Sequence, residues 1–406
     1  MREPVASPRG MLLDLYRQAL AAVHGRACVR AWLKRHPMPG PFHLVALGKA
    51  ADAMAAGVLD AAGESLQSGL LVTRHGYLEE AVYRDPRIVA LEAGHPLPDE
   101  QSLAAGNALQ LFLERAPPDA TFLFLISGGT SSLVEAPVSG VTLADLRQLN
   151  LWLIGGGLPI GAMNRIRAAL SRIKGGRLAA RLDGRQATVL FMSDVPGDVM
   201  SDIGSGLLLP SAPDPLPEIP ARFAALPWQT DAVPARPGLE AHIVASNRQA
   251  RAAVVAAAHA MGQAAWNHGV FPATDAAICG EVIAKTLHAA EPGVHVWGGE
   301  TTVKLPEHPG QGGRNQHLAL AAARSLTGWP DISLLSAGTD GSDGATDDAG
   351  ALVDGSSLER GRDAGYDADG CLERAAAAEF LEGSGDLLHT GPTGSNVMDL
   401  VIGYKP

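Results

Sequence analysis

The sequence predicts a two-domain α/β protein built on mainly parallel sheet, and three observations carry that expectation. The chain has 406 residues, beyond the size at which a single hydrophobic core keeps growing. Short apolar runs ending in glycine or a small polar residue alternate with stretches of helical spacing, the pattern of parallel strands covered by helices on both faces. Between Pro210 and Pro237 the chain becomes proline-dense and loses periodicity, which reads as a linker. The expected domains are therefore 1–230 and 238–406.

The first strand candidate is HLVALG (43–48), followed by the Ala-rich helical run AADAMAAGVLDAA. GLLVTR (69–74), RIVALEAG (87–94), TFLFLISGG (121–129) and ATVLFMSD (187–194) repeat the grammar, separated by helices such as 99–114 and 142–154. Thr142 with Asp145 reads as an N-cap with an acidic residue at the third helical position. A second series places strands at HIVAS (242–246), VHVWGGE (294–300), DISLLSAG (331–338) and NVMDLVIGY (396–404), around helices near 247–261, 276–290 and 315–326. The last of these strands could return to the first domain. No internal repeat is visible.

Composition removes several classes of function. No apolar run approaches the roughly 20 residues of a membrane span, and Asp14, Arg17 and His24 interrupt any signal-peptide core, so a cytoplasmic protein is expected. A net charge of −11 disfavours a nucleic-acid partner, which needs clustered cations. A small anion can still be held in a locally basic pocket. Cys28, Cys279 and Cys371 lie far apart without CxxC spacing, so reduced thiols are expected.

Polar clusters stand where strands end. ISGGTSS (Ile126–Ser132) puts glycines and hydroxyls after an apolar strand, the place where open parallel sheets bind ligands. It suits an anion cradle, and equally a plain glycine turn. Lys49 follows strand 43–48 at the same edge, either facing phosphate or solvated, and no P-loop surrounds it. SDVPGD supplies Asp194 and Asp198, and GTDGSDG supplies Asp340 and Asp343. Such carboxylates suit Mg²⁺ or simply turn chemistry. GTDGSDGATDDAG lacks the Glu that closes an EF-hand loop. GGE (298–300) and GGRNQH (312–317) flank a further loop, with Arg314 opening a helix where it could grip phosphate or carboxylate.

In order along the chain, LGKAADAM, GHPLPD, ISGGTSSL, SRIKGGRLA, SDVPGD, GGETTV, GQGGRNQ, GTDGSDGATDDAGALVDG and TGPTGSNVMDL resemble motifs of the glycerate 2-kinase family. That resemblance implies a larger Rossmann-like domain, a smaller α/β domain with a mixed sheet, and an active site in the cleft between them. It implies transfer of the ATP γ-phosphoryl to the 2-hydroxyl of D-glycerate with Mg²⁺, by a monomer or homodimer. By position it implies Lys49 and Arg314 as a catalytic pair, with Asp194 orienting the hydroxyl or holding metal. Ser127, Gly128, Gly129, Thr130, Ser131, Ser132, Asn164, Arg167 and Lys174 are implied to bind phosphate or substrate. Glu300, Asp340 and Asp343 are further metal candidates. The chain departs from the family pattern at Ala162, at Ala168 and Ala169, at His317 and at Leu207 to Leu209, losing charge near the expected acceptor. Another small hydroxy acid as acceptor, a hydroxypyruvate reductase, or a silent ligand-binding relative are the competing readings. The reductase needs a dinucleotide site, and no GxGxxG follows a strand.

Overall fold

The structure is a computed structural model that describes all residues except 1–6, 79–81, 83, 156–157, 211–213, 232 and 273. It divides into two units, one of residues 24–245 and one of residues 1–23 with 246–406.

The unit 24–245 is organised on six parallel strands: β1 (Phe42–Leu47), β2 (Leu66–Arg74), β3 (Ile88–Ala93), β4 (Phe122–Ile126), β5 (Ala187–Met192) and β6 (Leu239–Ala245), in the order β3-β2-β1-β4-β5-β6. Every residue of β4 is buried. A central parallel strand meets helices on both faces, so its sequence, FLFLI, is a continuous apolar run without alternation. The helix Glu100–Arg115 shows how the layers lock. Asp99 and Ser102 form a reciprocal capping box at its start, and Ala105, Leu109 and Leu113 face the core. Each such leucine stabilises the fold by about 1.5–3 kcal/mol. The expected cap at Thr142 and Asp145 forms too, with the Thr142 N–H donating to Asp145 at 2.9 Å and the Asp145 N–H to Thr142 Oγ1 at 3.2 Å.

The second unit has a mixed sheet in the order β11-β10-β9-β12-β8-β7, from β7 (Ala265–Val270), β8 (Gly293–Gly299), β9 (Ser333–Gly338), β10 (Gly350–Asp354), β11 (Leu387–Leu388) and β12 (Asp399–Lys405). Only β7 and β8 run parallel; the other pairs are antiparallel.

Three expectations about organisation change. The strand expected at 242–246 belongs to the first sheet, because β6 pairs with β5; the division falls after it, at residue 245. The N-terminal helix Pro8–Val23 belongs with the second unit: Tyr16 donates to the Gly338 carbonyl at 2.6 Å, and Arg9 pairs with Asp354 at 2.7 Å. The last strand stays in the second sheet, between β9 and β8. The proline-dense stretch is more than a tether. Phe223, Leu226 and Trp228 pack with Leu146, Leu149 and Ile166 in a satellite core, and the Gln229 N–H donates to the Ala169 carbonyl at 2.8 Å. Among the described residues no helix is long and apolar enough to cross a membrane.

Candidate active site

In the parallel sheet the strand order reverses between β1 and β4, and ligands of open α/β sheets bind outside the carboxyl ends of strands at such a point. Lys49 follows β1, and Ser127 to Ser132 follow β4. The two turns are fastened together: the Lys49 N–H donates to the Gly128 carbonyl and the Ser127 N–H to the Leu47 carbonyl, each at 2.9 Å. Gly48 makes this approach feasible. Its φ is +118°, and a Cβ there would lie 2.2 Å from Ser127 Oγ. Gly129, at φ +84°, is the second such position, since its Cβ would fall 3.1 Å from Lys49 Cγ and 3.0 Å from His95 Cδ2. The lysine stem and the His95 ring therefore flank the Gly129 backbone.

His95 lies in the GHPLPD turn after β3, which the capping bonds of Asp99 hold in place. Burial works to raise the Asp99 carboxyl, but hydrogen bonds from His75 and the Ser102 and Gly94 N–H groups hold it down at about 2.

The hydroxyls of Ser127, Thr130 and Ser132 are engaged within the turn and its neighbouring strand. Ser127 Oγ donates to the Leu47 carbonyl at 3.3 Å, Thr130 Oγ1 to the Ser127 carbonyl at 2.7 Å, and Ser132 Oγ to the Gly129 carbonyl at 3.2 Å. Their protons hold the turn's shape. The donors left for an anion are the main-chain N–H groups of Gly129, Thr130 and Ser131, which meet no acceptor among the described residues. Ser131 Oγ lies 2.8 Å from Ser205 Oγ. Asp194 follows β5 at the same edge and is half-buried.

Lys174 is placed differently from the expectation. Its ammonium is paired with Glu135, the two side chains being 1% and 3% exposed, so it is enclosed in protein. Ser171 Oγ donates to the same carboxylate at 2.9 Å. Burial lowers the Lys174 pKa, with Glu135 opposing. Arg167 donates to Asn150 Oδ1 at 3.0 Å; burial lowers it to about 10, against the pull of Glu135, and it stays charged at neutral pH. Asn164 reaches the site through Ser205, whose hydroxyl donates to Asn164 Oδ1 at 2.8 Å.

In the second unit Arg314 opens the helix Arg314–Leu326. Its guanidinium grips Asp399 with two hydrogen bonds, of 2.5 and 3.1 Å, and meets Glu300 at 2.5 Å. Burial works against its charge, but Asp399 and Glu300 more than offset this and raise the pKa further. Asp343 caps the same helix from a distant loop, accepting from the Asn315 and Gln316 N–H groups at 3.0 and 2.8 Å. Burial pushes its carboxyl up to about 7 despite those two bonds. Asp340 accepts from the Ser342 N–H at 3.0 Å. Of the expected metal candidates, Glu300 and Asp343 are thus engaged by Arg314 and by a helix start. Among the described residues no group of three or more His, Cys, Asp or Glu side chains is arranged to hold a metal. His95, Glu135, Ser205 and Asp399 are the residues that sequence reasoning left unassigned. All but Glu135 and Ser205 lie in the quoted motifs.

Comparison with known proteins identifies the family. Residues 11–221 match a domain of unknown function, DUF4147, and residues 293–399 match the MOFRL family. D-glycerate 2-kinase from Thermotoga maritima is 33% identical, covering 98% of each chain. A protein from Agrobacterium vitis, provisionally named a hydroxypyruvate reductase, is 38% identical over 97% of this chain and 94% of its own. The crystal structure of glycerate kinase from Thermotoga maritima superposes with a TM-score of 0.81 over 98% of this chain and 99% of that one, at 32% identity. With a relative so named matching from end to end, the chain belongs to the glycerate 2-kinase family.

Proposed function

We propose that this protein transfers the γ-phosphoryl group of ATP to the 2-hydroxyl of D-glycerate. The observation that carries the reading is Lys49 beside the open N–H groups of Gly129 to Ser131 at the point of strand reversal, in a chain whose relatives include D-glycerate 2-kinase. Phosphoryl transfer is mostly positioning and neutralisation of charge on the transferring oxygens. The main-chain N–H groups hold an anion by direction, Lys49 contributes a point charge, and Arg314 contributes a planar donor set. Arg314 is already oriented by Asp399, so little freedom is lost when it meets a phosphoryl group.

Asp194 is the carboxylate assigned to orient the acceptor hydroxyl or to hold Mg²⁺, which takes one or two carboxylates alongside substrate phosphates. The metal, when bound with ATP, supplies charge neutralisation at the phosphate oxygens. The acceptor is the more variable half. Ala162, Ala168 and Ala169 are all buried, at 8%, 8% and 3% exposure, so the charge missing at these positions is replaced by close packing.

Mixing the full chain with ATP, Mg²⁺ and D-glycerate should release ADP, with phosphate located on carbon 2 by phosphorus and proton NMR. A screen including tartronate and tartrate identifies another acceptor if glycerate fails. NADH oxidation with hydroxypyruvate in the absence of ATP would replace the kinase reading with the reductase one. Sedimentation decides between the expected monomer and homodimer.

A further inference from the structure

Ser131, Ser205 and Asn164 form a chain whose hydrogen-bond polarity is fixed from its far end. Asn164 Nδ2 donates to the Asp202 carbonyl at 2.9 Å, and a carbonyl can only accept, so the amide oxygen must face the other way. It faces Ser205, whose single hydroxyl proton is taken by Asn164 Oδ1 at 2.8 Å. Ser205 Oγ therefore has only lone pairs to offer Ser131, 2.8 Å away, and Ser131 must be the donor in that bond. With its proton spent inward, the partly exposed Ser131 Oγ presents lone pairs outward.

The chain is built rather than incidental. Ser205 is 1% exposed and has φ +56°, a backbone conformation costly for any residue with a Cβ. Its carbonyl accepts the Gly175 N–H at 3.0 Å, so the strained turn is pinned between two other segments of the site.

We infer that Ser131 is a specificity residue that accepts a hydrogen bond from a hydroxyl of the acceptor substrate, and that Ser205 is the positioning residue that sets this polarity. An outward lone pair repels phosphate and carboxylate oxygens and welcomes O–H. The relay ends on an amide and a main-chain carbonyl, neither of which takes up a proton, so it cannot receive the proton of the reacting hydroxyl. Ser131 thus serves the hydroxyl that keeps its proton, the 3-hydroxyl when the 2-hydroxyl reacts. The inference rests on the glycerate kinase reading.

D-lactate, which differs from D-glycerate only in lacking the 3-hydroxyl, isolates the effect. Ser131→Ala should reduce the preference in kcat/KM for D-glycerate over D-lactate by about tenfold, the worth of one neutral hydrogen bond. Ser205→Gly, which keeps the left-handed backbone but removes the hydroxyl, should reduce it in the same direction by less. Equal losses for the two acids in both variants would overturn the inference, because a merely structural serine cannot discriminate between them. Calorimetric binding of the two acids to the wild type and both variants repeats the test without turnover. A wild-type chain that binds D-glycerate in preference to D-lactate but releases no ADP fails the kinase reading alone. A chain that binds neither acid overturns both.

Discussion

The turn after β4 and the start of the helix Arg314–Leu326 both follow motifs rich in glycine and polar residues, yet they are built by opposite means. The first is shaped by neutral groups: hydroxyl protons are turned back onto carbonyls, and main-chain N–H groups face outward beside Lys49. The second is shaped by charge, with Asp343 holding the helix start while Asp399 and Glu300 hold Arg314. A neutral frame closes its turn through main-chain and hydroxyl bonds alone, whereas a charged frame fixes its cation and makes the fold depend on it.

The largest test of that contrast is removal of each cation. Lys49→Ala and Arg314→Ala should each lower kcat by about 10²–10³, the typical loss for a group that stabilises transition-state charge. They should differ in stability. Arg314→Ala leaves Asp399, 1% exposed, without its principal partner, and should cost roughly 3 kcal/mol in urea unfolding. Lys49→Ala should cost less than this, because the turn beside it is closed by main-chain and hydroxyl bonds that the substitution leaves in place. Equal stability losses would erase the distinction between the frames.

Lys174 sharpens the comparison within the first unit, where charge is also used, but away from the turn. Lys174→Ala strips Glu135 of its partner in a site where both side chains are enclosed, and should cost about 3–5 kcal/mol of stability. Lys174→Met with Glu135→Leu should recover most of that loss, since replacing both ions removes the unpaired charge. A Lys174→Ala variant with unchanged unfolding and a raised KM for ATP would restore the ligand-binding role that its motif suggested.

Asp343 offers a pH test in the second unit. Its carboxyl sits at about 7 in the folded chain against an ordinary value of 3.8, so between these limits the folded state binds the additional proton. The stability it contributes is therefore complete below pH 3.8 and is lost as pH rises through about 7. Asp343→Asn cannot titrate. The stability of wild type minus that of the variant should fall between pH 4 and 7 by at most about 1.4 kcal/mol per unit, measured by urea unfolding. A difference that is flat or rises with pH would mean that the two N–H bonds keep Asp343 ionised throughout.

Much of this architecture was legible because parallel strands enclosed on both faces must be apolar throughout, as FLFLI in β4 and FHLVAL in β1 are. The strands that escaped notice carry no such signal. β7 reads AWNHGV at a sheet edge with exposed positions, and β10, GALVD, continues a loop motif. Lys49 and Arg314 were visible as cations where a strand ends or a helix begins. Asp399 was not visible as a partner, since it stands 85 residues from Arg314 in sequence and meets it only through the pairing of β12 with β8 and β9. The N-terminal helix has a periodic apolar face, with Leu12, Leu15, Tyr16, Ala19 and Val23 buried, but periodicity alone does not say which unit that face meets; the Tyr16 hydroxyl on Gly338 and the Arg9 pair with Asp354 show that it is the second. Hydrogen-bond direction is the least legible property. The residues ISGGTSS announce polar groups, but whether a serine donates outward or inward depends on Asn164 and Ser205, in separate segments of the chain.

The smallest effect discriminates between the two carboxylates on Arg314. Glu300 and Asp399 each approach the guanidinium to 2.5 Å, but the Glu300 side chain is 41% exposed and that of Asp399 is 2%. Water screens the first pair and not the second, so equal distances carry unequal energies. Glu300→Gln should therefore cost less than about 1 kcal/mol of stability, an amount that shrinks further in high salt. Asp399→Asn should cost several times more and respond weakly to salt, because it leaves the guanidinium without its enclosed, two-pronged partner. If the two substitutions were equally costly and equally salt-dependent, proximity alone would set the strength of this frame, and the burial of Asp399 would be incidental to how Arg314 is held.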